Sequence, residues 1–442
     1  MKKVTAVILA VVLMALTLSS CKGKSGVLVL DGEGNTLAQI SSFSKTDNDT
    51  FINAVLSEAV NAVADKQGLS RDKAQRFLVK NGCTIKTDFN KNAFEFIKEA
   101  YTKNLEDSVE YACVLTDTSG AVLAVYNNSP DSADNVTLLK NPYSTIKPLS
   151  VYSLALEEKI INWSSVFEDS EYKKIKGEDG NMYSWPANAT NTYKNEDVTV
   201  EYAIKNSLNT VAVKCLSKLG VKKSLGFLAT KLRIDVSQES VKAQAYGEEE
   251  IIGNIALGYL SSGVSLLDMA GYYQIFVNDG AYTPAHFVKE ITDNSGKEIY
   301  KYSAEKTQVI SGETANIMNN MLRQVVSPGA TGHKAAVKNL EIAGKTGTGN
   351  DYEGNWFIGA SPDYICAVWH GRYMQENIAP QIFSGIFSKL KHENTRFKSY
   401  QGIKKAGYCA ESGKLLSAGC TKMETGFYTP DNMPEKCDIH SR

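Results

Sequence analysis

Charge imbalance is almost missing from this chain: 48 lysines and arginines stand against 49 aspartates and glutamates. A net charge of −1 gives no bulk attraction to nucleic acid, so a nucleic-acid partner is not implied. Histidine is scarce, with five in 442 residues and none in an H-E-x-x-H pattern, which removes the common zinc-hydrolase arrangement. No G-x-x-x-x-G-K-[ST] occurs, and no G-x-G-x-x-G stands between a strand and a helix, so the standard phosphate cradles are missing too. These patterns imply no metal, cofactor or nucleotide. No period of 20–50 residues repeats, which excludes a solenoid. Long apolar runs are also rare. The clearest, Val4 to Leu18, falls short of the ~20 residues that span a bilayer comfortably.

That run follows Lys2 and Lys3 and ends at Leu18-Ser19-Ser20-Cys21. A charged start, an apolar stretch and small residues read as an export signal. Small residues before a cysteine resemble a bacterial lipobox, in which Cys21 is lipidated. Ordinary cleavage nearby and an uncleaved anchor are the alternatives. All three place the remainder on the extracytoplasmic face of a membrane. Cys83, Cys113, Cys215 and Cys366 sit singly in apolar surroundings and read as small buried hydrophobes. Cys409, Cys420 and Cys437 cluster near the C-terminus with His440 close behind. Export favours a disulfide within that trio, with one cysteine left over. A Cys3His zinc site is the sharper alternative, although the spacing is not that of a tight zinc knuckle.

The chain has ample length and apolar content for one large globular domain with appendages. Residues 1–21 are the signal, and 22–109 read as a tether with a small helical module. That module opens with a brief strand, Val27–Leu30, and a turn at Asp31-Gly32. Two helices follow within residues 50–80, since Phe51, Val55, Ala59, Val60 and Val63 recur at helical spacing. Ser70 is the N-cap expected for the second. The main domain is expected over 110–395, with a cysteine-containing tail at 396–442. Tyr111–Thr116 and Ala121–Tyr126 flank a turn, as do Trp356–Ala360 and Tyr364–His370, so each pair reads as a hairpin. Between them, Ile146–Leu156, Val200–Leu219 and Ile252–Phe276 read as helices. Strands at both ends with helices between predict an α+β fold, an antiparallel sheet covered by helices.

Three short motifs stand in order inside the main domain: Ser144-Thr145-Ile146-Lys147, Ser207-Leu208-Asn209 and Lys345-Thr346-Gly347-Thr348. Each alone is weak. S-x-x-K also begins at Ser19, Ser70, Ser170, Ser303 and Ser388, and Lys24-Ser25-Gly26 mimics the third. Order and spacing discriminate, with 63 residues from Ser144 to Ser207 and 138 from Ser207 to Lys345. Ser144 and Lys147 share one face of a helix. A serine hydroxyl is a weak nucleophile until a neighbour takes its proton, and Lys147 can do so only when neutral. Burial and a nearby cation, Lys345, would lower its pKa. Ser207 can relay a proton to a leaving amine, and Asn209 can bind a substrate amide and hold Lys147. Lys345 supplies positive charge on a strand. Thr346 and Thr348 can bind a carboxylate, and Gly347 lets a substrate backbone approach. The N–H groups of Ser144 and Thr348 would form an oxyanion hole, at roughly 3–4 kcal/mol per donor. Such equipment serves an acyl-transferring serine enzyme acting on an amide.

In this order the motifs resemble those of penicillin-binding proteins and serine β-lactamases. The similarity extends to Gly82–Asp88, Ser262–Ala270, Asn355–Gly359, Ala367–Trp369 and the cysteine tail, and it looks like the transpeptidase half of a class A penicillin-binding protein. The resemblance implies a five-stranded antiparallel sheet flanked by helices. It implies peptidoglycan stem peptides ending in D-Ala-D-Ala as substrate, an acyl-enzyme on Ser144 with release of D-alanine, and covalent capture of β-lactams. Too few residues precede the main domain for the glycosyltransferase domain of that class, so a separate glycosyltransferase partner is expected. A D,D-carboxypeptidase, a β-lactamase-like hydrolase and a non-enzymatic β-lactam- or wall-binding lipoprotein are the competing readings. No E-x-x-L-N segment follows Ser207 to activate a deacylating water, which disfavours the hydrolase.

Overall fold

The computed structural model describes residues 26–43, 49–106, 108–128, 136–303, 305–373 and 375–440. The export signal and Cys21 lie outside the described residues. Among those described, no helix is long and apolar enough to cross a membrane. The chain groups into two units. One comprises the chain up to Asn90 with His286–Ser303, and the other comprises Lys91–Ala285 and the chain after Ser303. The helix Lys91–Asn104 therefore groups with the second unit and not with the tether module.

The first unit carries the two helices read from periodicity, Thr50–Gln67 and Arg71–Lys80. Asp49 caps the first by accepting from the Ile52 N–H at 3.0 Å. Ser70 occupies the N-cap position of the second without a side-chain capping bond. What periodicity did not reveal is a five-stranded sheet. Its order is Glu298–Lys301, Glu290–Thr292, Thr84–Lys86, Val27–Leu30 and Thr36–Ile40. Two of these strands arrive from some 200 residues downstream, a pairing to which local pattern is blind. The half-buried Glu58 carboxylate receives the N–H groups of Phe287 and Val288 at 2.8 and 3.1 Å. Burial raises its pKa despite those donors.

The second unit holds the predicted antiparallel sheet, in the order Ala343–Thr348, Asn355–Ala360, Tyr364–His370, Tyr111–Asp117, Val122–Asn127. Both hairpins form. At the first turn Asp117 Oδ1 accepts from the N–H groups of Ser119 and Ala121, the short polar side chain that such a turn demands. One face packs Tyr111, Cys113, Leu115, Phe357 and Val368 into a core with Ile382, Phe383 and Phe387 from the helix Ala379–Phe387. Residues alternating with these, such as Ala112, Val114, Trp356 and Ile365, are buried as well. Both faces are therefore covered, which is why these strands read as near-continuous apolar runs. Cys83, Cys113, Cys215 and Cys366 are buried thiols.

Each of the three helices read between the hairpins is interrupted. The stretch after Ser144 is a 3-10 turn, Tyr143–Ile146, then a π-turn, Pro148–Tyr152, then an α-turn, Ser153–Glu157. Pro148 lacks an N–H, so regular i→i−4 bonding cannot run through it. Val200–Leu219 splits into Val200–Lys205 and Asn209–Leu219 around Ser207, which has φ 57°. Ile252–Phe276 breaks after Leu257, where Gly258 caps the helix Glu248–Leu257 in the left-handed conformation. Two of the breaks coincide with the first and second motifs.

Candidate active site

The structure brings the three motifs together. Ser144 lies on the 3-10 turn, half-buried, and Lys147, three residues on, has no exposed surface. The Lys147 ammonium donates to Ser207 O at 2.9 Å, Leu208 O at 3.3 Å and Asn209 Oδ1 at 2.6 Å. All three acceptors belong to the second motif. Lys345, on the edge strand, is also fully buried and donates to Ser207 Oγ at 2.7 Å and to Thr346 O at 3.0 Å. Ser207 is thus the hub, with its carbonyl bound by one lysine and its hydroxyl by the other.

Two buried ammonium groups with no opposing carboxylate cannot both stay charged cheaply, since desolvating each costs several kcal/mol. Among the described residues neither lysine forms an ion pair. Burial pushes Lys345 down to about 7. Burial also lowers Lys147 well below the ordinary lysine range, and the charge of Lys345 lowers it further. Lys147 is therefore available as a base at a pH where a solvated lysine is not.

The S-x-x-K decoys lack this environment. Ser70, Ser303 and Ser388 are exposed, and so are their lysines Lys73, Lys306 and Lys391. Ser170 instead donates to Glu168 and accepts from Lys214. Ser19 and Lys24-Ser25 lie outside the described residues.

The turn carrying Ser144 is held in place by strained backbone. Tyr143 has φ 47°, a left-handed conformation that costs about 1–3 kcal/mol and persists only where its surroundings over-determine it. Its N–H reaches Gly258 O at 3.2 Å, and its hydroxyl donates to Glu353 at 2.9 Å. Gly258 has φ +79°, and a Cβ there would stand 2.2 Å from Tyr143 O. Gly258→Ala should therefore displace the Tyr143–Ser144 turn. An error of ~1 Å in a reacting group costs on the order of 100-fold in rate. The rate of any reaction at Ser144 should fall by about that factor while circular dichroism still reports a folded protein, and a wild-type rate would refute this role for Gly258.

The edge strand also approaches this turn, though less closely. A Cβ at Gly347 would lie 2.8 Å from Pro142 O and 2.9 Å from Thr145 Cγ2. Thr346 is nearly buried and donates to Thr331 Oγ1 at 3.2 Å, whereas Thr348 is exposed. Among the described residues no strand pairs with its outer edge, the side on which an extended ligand can add to a sheet.

Sequence reasoning missed three supports. Asn377 Nδ2 lies 3.0 Å from Gly347 O and from Thr348 Oγ1 and 3.2 Å from Trp356 O, tying the third motif to the next strand. Asp169, buried, accepts from Asn188 Nδ2 at 2.8 Å and Thr210 Oγ1 at 2.6 Å. Asn188 Oδ1 in turn accepts the Asn209 N–H at 2.9 Å, and Asn209 Nδ2 donates to Ala187 O at 2.7 Å. That network aims Asn209 Oδ1 at Lys147. No local pattern marks these residues, because the contacts span 19 to 41 positions.

Comparison with known proteins agrees with this geometry. A model described as the penicillin binding protein transpeptidase domain matches residues 111–377. Penicillin-binding protein 1A of Clostridium botulinum is 31% identical over 373 residues, covering 76% of this chain and 43% of the relative. Penicillin-binding protein 1F of Bacillus subtilis is 31% identical over 86% of this chain and 53% of the relative. The chain thus spans about half the length of the curated relatives it matches. In fold, it is similar to the D,D-transpeptidase domain of a peptidoglycan glycosyltransferase from Eggerthella lenta. The TM-score is 0.63 at 20% identity, covering 83% of this chain and 98% of that one. Penicillin-binding protein 1A from Haemophilus influenzae gives 0.62 at 21% identity, over 74% of this chain and 54% of that one.

Proposed function

The chain belongs to the penicillin-binding protein transpeptidase family, and from that premise we propose that it is a serine D,D-transpeptidase of peptidoglycan stem peptides. The observation that carries this reading is the pair of fully buried lysines meeting at Ser207, one of them three residues after a half-buried Ser144. In the reaction, Lys147 takes the Ser144 proton as Oγ attacks the penultimate D-Ala carbonyl. Ser207 passes a proton from the buried cluster to the departing D-alanine nitrogen. Lys345, Thr346 and Thr348 receive the terminal carboxylate, and the exposed strand edge at Gly347–Thr348 aligns the peptide. An amine of a second stem peptide then takes the acyl group. A β-lactam enters the same site, and its ring opens onto Ser144 without leaving.

Lipidation at Cys21, attachment to the extracytoplasmic membrane face and a separate glycosyltransferase partner complete the proposal. The test is to incubate the purified protein with a fluorescent penicillin, map the adduct by peptide mass spectrometry, and assay D-alanine release and dimer formation from stem peptides. A lasting adduct on Ser144 and cross-linked product are expected. Rapid drug turnover would make the protein a hydrolase instead, D-alanine release without dimers a carboxypeptidase, and no adduct a non-enzymatic binder.

The lysine pair also sets a pH dependence. Protonated Lys147 cannot act as a base, so acylation rises with pH as Lys147 loses its proton, well below the ordinary lysine range. Lys345, near 7, loses its charge over neutral pH and with it part of its hold on a carboxylate. The second-order acylation constant should trace a bell, and Lys345→Met should move the rising limb to higher pH. A limb unmoved in that variant would show that the two lysines are not electrically coupled.

A further inference from the structure

The tail poses a separate question. Its strands Lys404–Cys409 and Met423–Tyr428 form a hairpin. Leu415 bridges both Tyr408 and Lys436. The Cys409 N–H donates to Lys414 O at 2.8 Å, and the Cys437 N–H to Leu415 O at 2.7 Å. These folds gather residues spaced by 11, 17 and 3 positions into one cluster. The sulfurs of Cys409, Cys420 and Cys437 and a ring nitrogen of His440 all lie within 4.8 Å of one another. Cys409 Sγ and Cys437 Sγ are each 3.4 Å from His440 Nδ1. A tetrahedral zinc ion with ordinary Zn–S and Zn–N lengths requires ligand-to-ligand edges of about 3.5–3.8 Å.

The surroundings point to a metal rather than a disulfide. All three cysteines are buried. A disulfide would join two and leave the third with His440. The imidazole turns Nδ1 toward the sulfurs, while its Nε2 lies 2.9 Å from Glu411 Oε2. A carboxylate behind the ring is the arrangement that orients metal-bound histidines. Hydrogen-bond donors also point at the sulfurs. Ser412 Oγ donates to Cys437 Sγ at 3.3 Å and the Ser417 N–H to Cys420 Sγ at 3.4 Å, with Ser417 Oγ a further 3.4 Å contact to Cys420. Three buried sulfurs and one half-buried imidazole suit zinc above hard cations.

We propose that Cys409, Cys420, Cys437 and His440 bind one zinc ion as a structural site that fastens the tail. The fastened tail has a definite seat. Ser164 Oγ donates to Gly413 O at 2.5 Å and accepts from the Tyr428 hydroxyl at 2.8 Å. Asn432 Nδ2 donates to Ile161 O at 2.9 Å, and Trp163 packs edge-on against Phe427 at 5.1 Å. The chain from Ile161 to Ser165 continues into the strand Val166–Glu168 and Asp169, the anchor of the network around Asn209. Four protein ligands leave no open position, so the ion acts on folding and not on the acyl transfer.

The experiment uses the full chain, purified without chelator. Elemental analysis should give one zinc per chain, and X-ray absorption should give three sulfurs and one nitrogen around it. Cys437→Ser and His440→Ala should each lose the metal. Chelation of the wild type should lower Tm by several degrees and be reversed by zinc alone. The adduct on Ser144 is scored separately, so failure of one proposal leaves the other standing. Zinc absent from the wild type overturns the site, as does an intact disulfide among the three cysteines in non-reducing peptide maps. A zinc shell without sulfur also overturns it, whether or not the variants fold.

Discussion

Ser144→Ala is expected to erase the penicillin adduct, a loss of at least ~10,000-fold in acylation rate. The size follows from the chemistry, since the proposed ester forms on the Ser144 hydroxyl, which alanine lacks. The fold should be almost untouched. Ser144 is half-buried at a turn whose shape is set by Tyr143, Gly258 and Pro142 rather than by its own hydroxyl. A change in stability within about 1 kcal/mol is therefore expected, as for substitutions outside the core. A thermal melt beside the labelling gel separates loss of chemistry from loss of structure. Labelling that survives in the folded variant would place the nucleophile elsewhere.

Removing the base should be nearly as damaging. Lys147→Met is expected to slow acylation by about 100- to 10,000-fold, the usual worth of a positioned proton acceptor. It should also flatten the rising limb of the pH profile, because the group whose deprotonation makes that limb is gone. Lys147→Arg is the sharper variant. A guanidinium keeps the charge but does not give up its proton in a protein. If Lys147 contributes only positive charge, arginine restores the rate, and if it is the base, arginine fails. Both variants disturb packing, since Ser207 O, Leu208 O and Asn209 Oδ1 all accept from this one ammonium. Leaving a buried acceptor unpaired costs about 1–3 kcal/mol. The pH profile is therefore the decisive readout, because a purely structural defect lowers the whole curve without changing its shape.

Much of the site was legible in the order of residues. The Ser144–Lys147 offset puts both on one face, and the small residues around Lys345 announce a strand open to a ligand backbone. The hairpins were legible because turn chemistry and apolar runs are local properties. The interrupted helices were not. Periodicity carried the pattern through Ser207 and Gly258, where the chain takes left-handed backbone conformations. That choice depends on what lies across the break, Lys345 in one case and Tyr143 in the other.

The tail shows the same division. Its cysteines and histidine were visible in the sequence, and their wide spacing, unlike a zinc knuckle, left a disulfide as the first reading. Only the hairpin and the Leu415 bridges convert those separations into a tetrahedral neighbourhood. The first unit's sheet is similar, with two strands recruited from beyond residue 285.

By itself, then, the sequence determined which groups can react: a serine, two lysines, a second serine and an amide, in an order that matches one family. Folding decided their protonation and aim. Lys147 and Lys345 are ordinary lysines in an unfolded chain. They become a poised pair only when burial removes their water and their shared neighbour Ser207 brings them together. Desolvation and through-space charge depend on three-dimensional surroundings, and no window of sequence contains them.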